Sequence, residues 1–340
     1  MNIIVAILIF GFIVFFHELG HFLLARRNGI LVEEFAVGMG PKLIGKKVGE
    51  TLYSVRILPL GGFCKMLGED ESSDDQRAFS SKSPWAKIQT VLAGPAFNFI
   101  LAFLFGMIYM ALVGSNTNLV GEVLEGYPAE SAGLQANDKI LEVDGKGITS
   151  YREVSFYINQ LGGAPVEMVV ERAGEKLSLQ MTPRFVEESG SYLVGLTYVP
   201  VDMNLLQVVK YGFLEMVFWI KMVYYSLGMM IGGNVSADQI AGPIGIVSVI
   251  SQGYEESVKL GLKQVVVTIS FYMVLLSANL GVMNLLPIPA LDGGRLVFLL
   301  VEAVRGKPLD QEKEGMIHFI GFVLLMGLML LILFNDIRKL

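Results

Sequence analysis

The 340-residue chain is 53% hydrophobic and only 17% charged, with a mean hydropathy of +0.56. Those values lie outside the range of soluble domains and mark a polytopic membrane protein. A formal net charge of −6 argues against a general nucleic-acid binder, and a single cysteine, Cys64, excludes an intrachain disulfide or a cysteine-based zinc site.

In chain order, four segments are long and apolar enough to span a bilayer: roughly 2–25, 91–113, 265–286 and 317–334. The first lacks a basic n-region and a small-residue cleavage site, so it reads as a retained span. It contains His17-Glu18-Leu19-Gly20-His21 in a chain with three histidines. On a helix His17 and His21 share one face and can hold one zinc ion together, with Glu18 beside the metal as a proton acceptor. Ionisable groups at membrane depth are costly and by default mark function.

Residues 26–90 hold ten Lys or Arg, whereas 114–210 hold thirteen Asp or Glu against seven Lys or Arg. The positive-inside tendency puts 26–90 in the cytoplasm and the acidic segment outside; Arg338 and Lys339 conflict mildly with that scheme. Within 26–90, Glu50 to Leu58 alternates like a strand, with Tyr53, Val55 and Ile57 on one side. Pro59, Gly61 and Gly62 make a turn, and Phe63 to Leu67 returns. The hairpin 51–67 reads either as an ordinary surface hairpin or as a strand edge that pairs with an extended substrate. In the second reading Tyr53, Val55, Ile57, Gly61 and Gly62 are its substrate-binding residues. Residues 69–83 read as a mobile polar loop. In the second span, Asn98 of Gly94-Pro95-Ala96-Phe97-Asn98-Phe99 is expected to serve packing.

Segment 114–190 reads as an α+β domain, with strands at Val120–Leu124 and Lys139–Val143. A hairpin at Val166–Met181 turning at Ala173-Gly174 and a helix over Ser150–Leu161 complete it. The run from Tyr127 to Leu134, followed by Asn137-Asp138-Lys139-Ile140 and Val143-Asp144-Gly145, resembles the PDZ family. Asn137 replaces the usual Gly there, and Asn accepts left-handed turns. Region 191–264 reads as interfacial amphipathic helices and a loop, because Lys210, Glu215 and Lys221 interrupt the apolar run 205–233. A crossing there would also put the 284–295 stretch on the side opposite to His17 and His21.

The third span ends in Asn279 to Arg295, broken by Pro287, Pro289 and Gly293-Gly294. Catalytic zinc takes three protein ligands and one water, so one ligand is missing. His318, at the start of the fourth span, and Asp292 are the candidates; Asp292 is favoured because spans one and three run in the same direction. A loop aspartate capping the next helix is the alternative for Asp292.

Taken together, HELGH, PLGGF-KMLGE at 59–69, GPAFNF, one PDZ-like segment and NLLPIPALDGGR resemble the site-2 protease family over nearly the whole chain. The bacterial RseP/RasP-type zinc intramembrane proteases fit best. The resemblance implies a polytopic α-helical membrane protein of about four transmembrane helices, with a membrane-associated β-hairpin and an inserted extracytoplasmic PDZ-like domain. By that resemblance His17, His21 and Asp292 bind one Zn2+ and Glu18 is the general base. It also makes Asn279 and Asn284 residues that hold the substrate or the active-site loop. It further implies a bacterial plasma-membrane enzyme with its active site toward the cytoplasm. Its substrates would be pre-trimmed single-pass proteins of the anti-sigma-factor type and remnant signal peptides. Two other classes stand beside it, a scaffold with structural zinc and a metal carrier.

Overall fold

The computed structural model describes residues 2–69, 73–233, 241–307 and 309–339. In order, the elements are α1 (Asn2–Arg27), β1 (Val32–Val48), β2 (Thr51–Met66), α2 (Pro84–Val113), β3 (Asn116–Val123), α3 (Pro128–Ser131), β4 (Lys139–Val143) and β5 (Lys146–Gly147). They continue as α4 (Tyr151–Gln160), β6 (Val166–Arg172), β7 (Glu175–Met181), β8 (Arg184–Val186), β9 (Ser191–Leu193), β10 (Leu196–Pro200) and α5 (Leu205–Ile231). Last come α6 (Pro243–Lys259), α7 (Leu262–Leu285), α8 (Asp292–Arg305) and α9 (Gln311–Lys339). Two compact units result, Met1–Phe105 with Trp219–Leu340, and Gly106–Phe218.

Among the described residues five helices, not four, are long and apolar enough to cross a membrane: α1, α2, α5, α7 and α9. The fifth is the 205–233 region expected to be interfacial, which forms one 27-residue helix. Glu215, which interrupts its apolar run, is buried against the guanidinium of Arg152 on α4, so the sequence overstated its polarity. Residues 234–240 of the expected interfacial layer lie outside the described residues.

In the first unit, α1 buries Ala6, Ile9 and Ile13 against Leu101 of α2, Ile250 of α6, and Tyr272 and Met273 of α7. Asp336 near the end of α9 accepts the Gly242 and Gly245 amides at 2.9 Å each, which satisfies donors at the start of α6. Since α6 ends one turn before α7 begins, it bridges the end of α9 and the start of α7.

The β-structure departs from the expected simple hairpin. Glu34, Phe35, Ala36 and Val37 of β1 each have two partners, one in 52–55 and one in 62–65. Residues 42–48 pair back onto 51–56. The stretch 62–66 therefore pairs with β1 on one side, not with 51–58. The partner strand went unrecognised because Glu33 and Glu34 mask its alternation and Gly38 and Gly40 bend it, with φ of +87° and +83°. The polar loop ends inward: Phe79 is buried with Phe22, Val32 and Met66, and its amide donates to the Leu67 carbonyl at 2.7 Å. Residues 70–72 of that loop lie outside the described residues.

The second unit holds a sheet in the order β10-β3-β4-β6-β7. It runs past residue 190, because β10 pairs with β3. Asn137 takes φ +70°, and the β6–β7 turn sits at Ala173 and Gly174 with φ +51° and +86°. Asp138, 1% exposed, accepts Arg172 Nε at 2.7 Å, Arg172 Nη2 at 2.6 Å and the Gln135 amide at 2.9 Å. Burial would raise the Asp138 carboxyl, but these donors hold it below the usual carboxylate range.

A depressed folded value means that the contribution of Asp138 is complete above the unfolded pKa and is lost as pH falls through the folded one. Asp138→Asn should cost about 2 kcal/mol at neutral pH. Amides of β4 and β6 in the full chain should then exchange faster, and the difference from wild type should shrink below about pH 4.

Candidate active site

The second half of α1 and the start of α8 converge. His17 Nε2 and His21 Nε2 are 3.2 Å apart, and Asp292 Oδ2 lies 3.3 Å from the first and 3.4 Å from the second. A tetrahedral zinc ion with ligands at about 2.0–2.1 Å sets its ligand atoms about 3.3–3.4 Å apart. The triangle has those dimensions and leaves the fourth position open.

Protonation fixes the donor set. His21 Nδ1 lies 2.9 Å from the Thr90 carbonyl oxygen, which can only accept. The ring proton is thus on Nδ1, and the Nε2 lone pair faces the triangle. His17 Nδ1 lies 3.0 Å from the Asn98 side-chain amide. Coordination through His17 Nε2 places the proton on Nδ1, so Asn98 then turns its carbonyl oxygen to the ring. Two imidazole lone pairs and a carboxylate so close in an apolar bundle repel one another without a cation between them. His17, His21 and Asp292 are the one group of His, Cys, Asp and Glu among the described residues placed to hold a metal ion.

Glycine sets the helix approach. A Cβ on Gly94 would lie 2.2 Å from His21 Nε2, and one on Gly20 would lie 2.3 Å from the Ala93 carbonyl oxygen. The α1–α2 crossing therefore needs both positions bare. Pro95 follows inside α2 and removes the helical donor for the carbonyl at 91, one residue from the Thr90 oxygen that holds His21.

A cavity of about 510 Å³ opens on the triangle. Glu18, Asn284, Gly61, Gly62 and Cys64 are among its lining residues. Asn284 Nδ2 reaches to 3.5 Å from His17 Nε2. A Cβ on Gly62 would be 3.6 Å from Glu18 Cγ, so the glycine stretch of β2 runs beside the carboxylate. Burial pushes the Cys64 thiol pKa up, which keeps it a neutral thiol rather than a nucleophile.

Of the expected substrate contacts, the structure gathers Asn284, Gly61 and Gly62 at this cavity and leaves out Tyr53, Val55, Ile57 and Asn279. Tyr53 packs on Phe22 and Phe35, because the 52–55 stretch is paired on both sides. Val55 and Ile57 are 45% and 50% exposed and do not line this cavity. Asn279 is exposed on α7, five residues and so about half a turn out of phase from Asn284. Conversely, Asn98 is fully buried against the His17 imidazole and so does more than pack. Its presence as the lone amide in an apolar span was the signal. His318 is not part of the metal group.

The peptidase family M50 model matches residues 5–328. The zinc metalloprotease RasP of Geobacillus kaustophilus is 34% identical over 421 aligned residues, covering 99% of this chain and 98% of the relative. The regulator of sigma-W protease RasP of Bacillus subtilis is 32% identical over 424, covering 100% and 99%. A Clostridium acetobutylicum protein described as a candidate zinc metalloprotease is 40% identical over 337, covering 99% and 97%. The solved PDZ domain of an SdrC-like protein from Listeria monocytogenes matches 26% of this chain and 92% of that chain at 25% identity, with a TM-score of 0.23.

Asn98→Leu removes the partner of His17 while keeping bulk, and it should weaken zinc binding about 10–100-fold. Gly94→Ala drives a methyl into the imidazoles and should leave little zinc. Metal content after dialysis against graded chelator concentrations measures both. Wild-type retention in Asn98→Leu would exclude the orienting role.

Proposed function

The chain belongs to peptidase family M50 and is a multi-pass membrane protein of zinc metalloprotease type, and from that premise we propose that it cleaves other proteins within the membrane. The observation that carries this reading is a three-ligand triangle with an open fourth position, faced by Glu18 and by an edge of β-structure in one cavity.

In this reading His17, His21 and Asp292 hold the zinc ion. When bound, zinc supplies Lewis-acid polarisation of a carbonyl and lowers the pKa of water. Glu18 accepts the proton of the attacking water and passes it to the leaving amine nitrogen. A helix hides its carbonyls in its own hydrogen bonds, so the substrate must unwind before it is cut. The 62–66 stretch is paired with β1 on one side, and an extended substrate adds to its other side above Glu18. Asn284 orients the substrate carbonyl or the imidazole beside it.

For topology, His17, His21 and Asp292 meet only if α1 and α7 run in the same direction, with α2 returning between them. We assign α1, α2, α7 and α9 as the four full crossings, in a bacterial plasma membrane. The path through α5 and α6 then ends on the side where it began. The basic segment 26–90 and the metal site face the cytoplasm, and the PDZ-like unit lies outside. The substrate class we propose is single-pass membrane proteins already trimmed outside, of the anti-sigma-factor type, together with remnant signal peptides. The B. subtilis relative carries the name regulator of sigma-W protease, which favours the first.

A test pairs metal analysis with cleavage of a fluorescent transmembrane reporter. Wild type should carry about one zinc. Glu18→Gln should keep the zinc and lose about 10²–10⁴-fold in rate, and Asp292→Ala should lose both. Normal cleavage by zinc-loaded Glu18→Gln would exclude the general-base role. Zinc without cleavage of any trimmed membrane segment would favour a scaffold with structural zinc.

A further inference from the structure

The third histidine has no part in the metal triangle, yet it touches the turn that delivers the triangle's carboxylate. Between the end of α7 and the start of α8, residues 286–291 fold on themselves, with the Ile288 amide on the Leu286 carbonyl at 2.7 Å and the Leu291 amide on the Ile288 carbonyl at 3.1 Å. Ala290, two residues before Asp292, takes φ +75°. That left-handed conformation is unfavourable for alanine, and neither a polar side chain nor a glycine is there to ease it. Its amide leaves the turn and donates to His318 Nδ1 at 2.9 Å.

The surroundings are built for that contact. Gly321, one turn after His318 and on the same face of α9, lies so close to Pro289 that a Cβ would be 2.5 Å from the proline Cβ. Cβ atoms on Gly293 and Gly294 would be 2.2 Å from the Leu286 carbonyl oxygen and 2.3 Å from that of Ile288. The turn is therefore held between the glycine pair of α8 and the His318–Gly321 face of α9. The edge of the Phe298 ring meets the His318 ring, at 5.4 Å between centroids. Because Nδ1 accepts an amide, the ring proton sits on Nε2, directed toward the Glu314 carboxylate 3.9 Å away.

We infer that His318 is a positioning residue for the metal-binding carboxylate: by accepting the Ala290 amide it locks the left-handed turn that sets Asp292 opposite His17 and His21. The inference rests on the reading of Asp292 as a zinc ligand. Without the acceptor, the Ala290 amide is left unpaired and the turn relaxes toward ordinary φ, carrying the Asp292 Oδ2 atom out of the triangle. The imidazoles would remain in place on α1, so zinc would still bind but leave faster.

The experiment measures zinc release from the purified full chain to a chromophoric chelator, for wild type, Asp292→Ala, His318→Phe, His318→Leu and His318→Asn. Phe keeps ring bulk against Phe298 and Leu relieves it, and both remove the acceptor. Asn places an oxygen where Nδ1 stood. Both acceptor-less variants should release zinc about 10–100-fold faster than wild type, and His318→Asn should recover to within about threefold. Asp292→Ala retaining zinc like wild type would sink the ligand reading itself. Asp292→Ala losing zinc while both acceptor-less variants release it at the wild-type rate would overturn the role of His318 alone. His318→Asn no better than His318→Phe would also overturn it, since bulk and not the acceptor would then matter. Either acceptor-less variant suffices if the other is not recovered folded.

Discussion

Two imidazole lone pairs and a carboxylate oxygen stand 3.2–3.4 Å apart inside a bundle of apolar helices. Such a cluster is unfavourable as a bare arrangement, and its geometry is maintained by contacts that have no other evident use. Thr90 and Asn98 fix the rings from α2. Gly20 and Gly94 let that helix come close enough to do so. The Gly293-Gly294 pair lets α8 start directly beneath the end of α7 and present Asp292. A cation converts the repulsion into coordination, and the rest of the first unit can be understood as scaffolding around that exchange.

The β-structure brings a second constraint to the same place. Buried backbone donors and acceptors must be satisfied, and β1 is paired on both sides over 34–37. Among the described residues, the stretch 62–66 has β1 on one side only, and it borders the cavity that holds Glu18. Gly62 leaves the Glu18 side chain beside bare backbone, since a Cβ there would lie 3.6 Å from Glu18 Cγ. The metal triangle and the strand edge thus share one cavity, which is what the proposed cleavage of an extended chain requires.

Much of this was legible along the chain because the signals were local. Helix spacing linked His17 to His21, and apolar runs outlined α1, α2, α7 and α9. The Ala173-Gly174 turn and the helix beginning at Ser150, whose side chain accepts the Arg152 amide, marked the inserted unit. Failures came where a distant partner changes the meaning of a residue. Glu215 suggests a wet surface until Arg152 is found against it. Tyr53 looks like a contact residue until β1 covers the stretch it belongs to. Asn279 and Asn284 share one motif, but a separation of five residues on a helix turns one of them away from the site.

By itself, the sequence determined the chemistry: which side chains carry lone pairs and charge at membrane depth, and that no other histidine or cysteine pattern competes with them. Composition and spacing suffice there, because desolvation makes every ionisable group in an apolar run conspicuous. Tertiary structure alone decided which groups support that chemistry. Asn98, Thr90, Gly94 and His318 act through helices that cross far apart in sequence, and no local pattern encodes a crossing. The edge of the sheet that meets the site was likewise fixed by long-range pairing, since strand register depends on the partner and not on the strand.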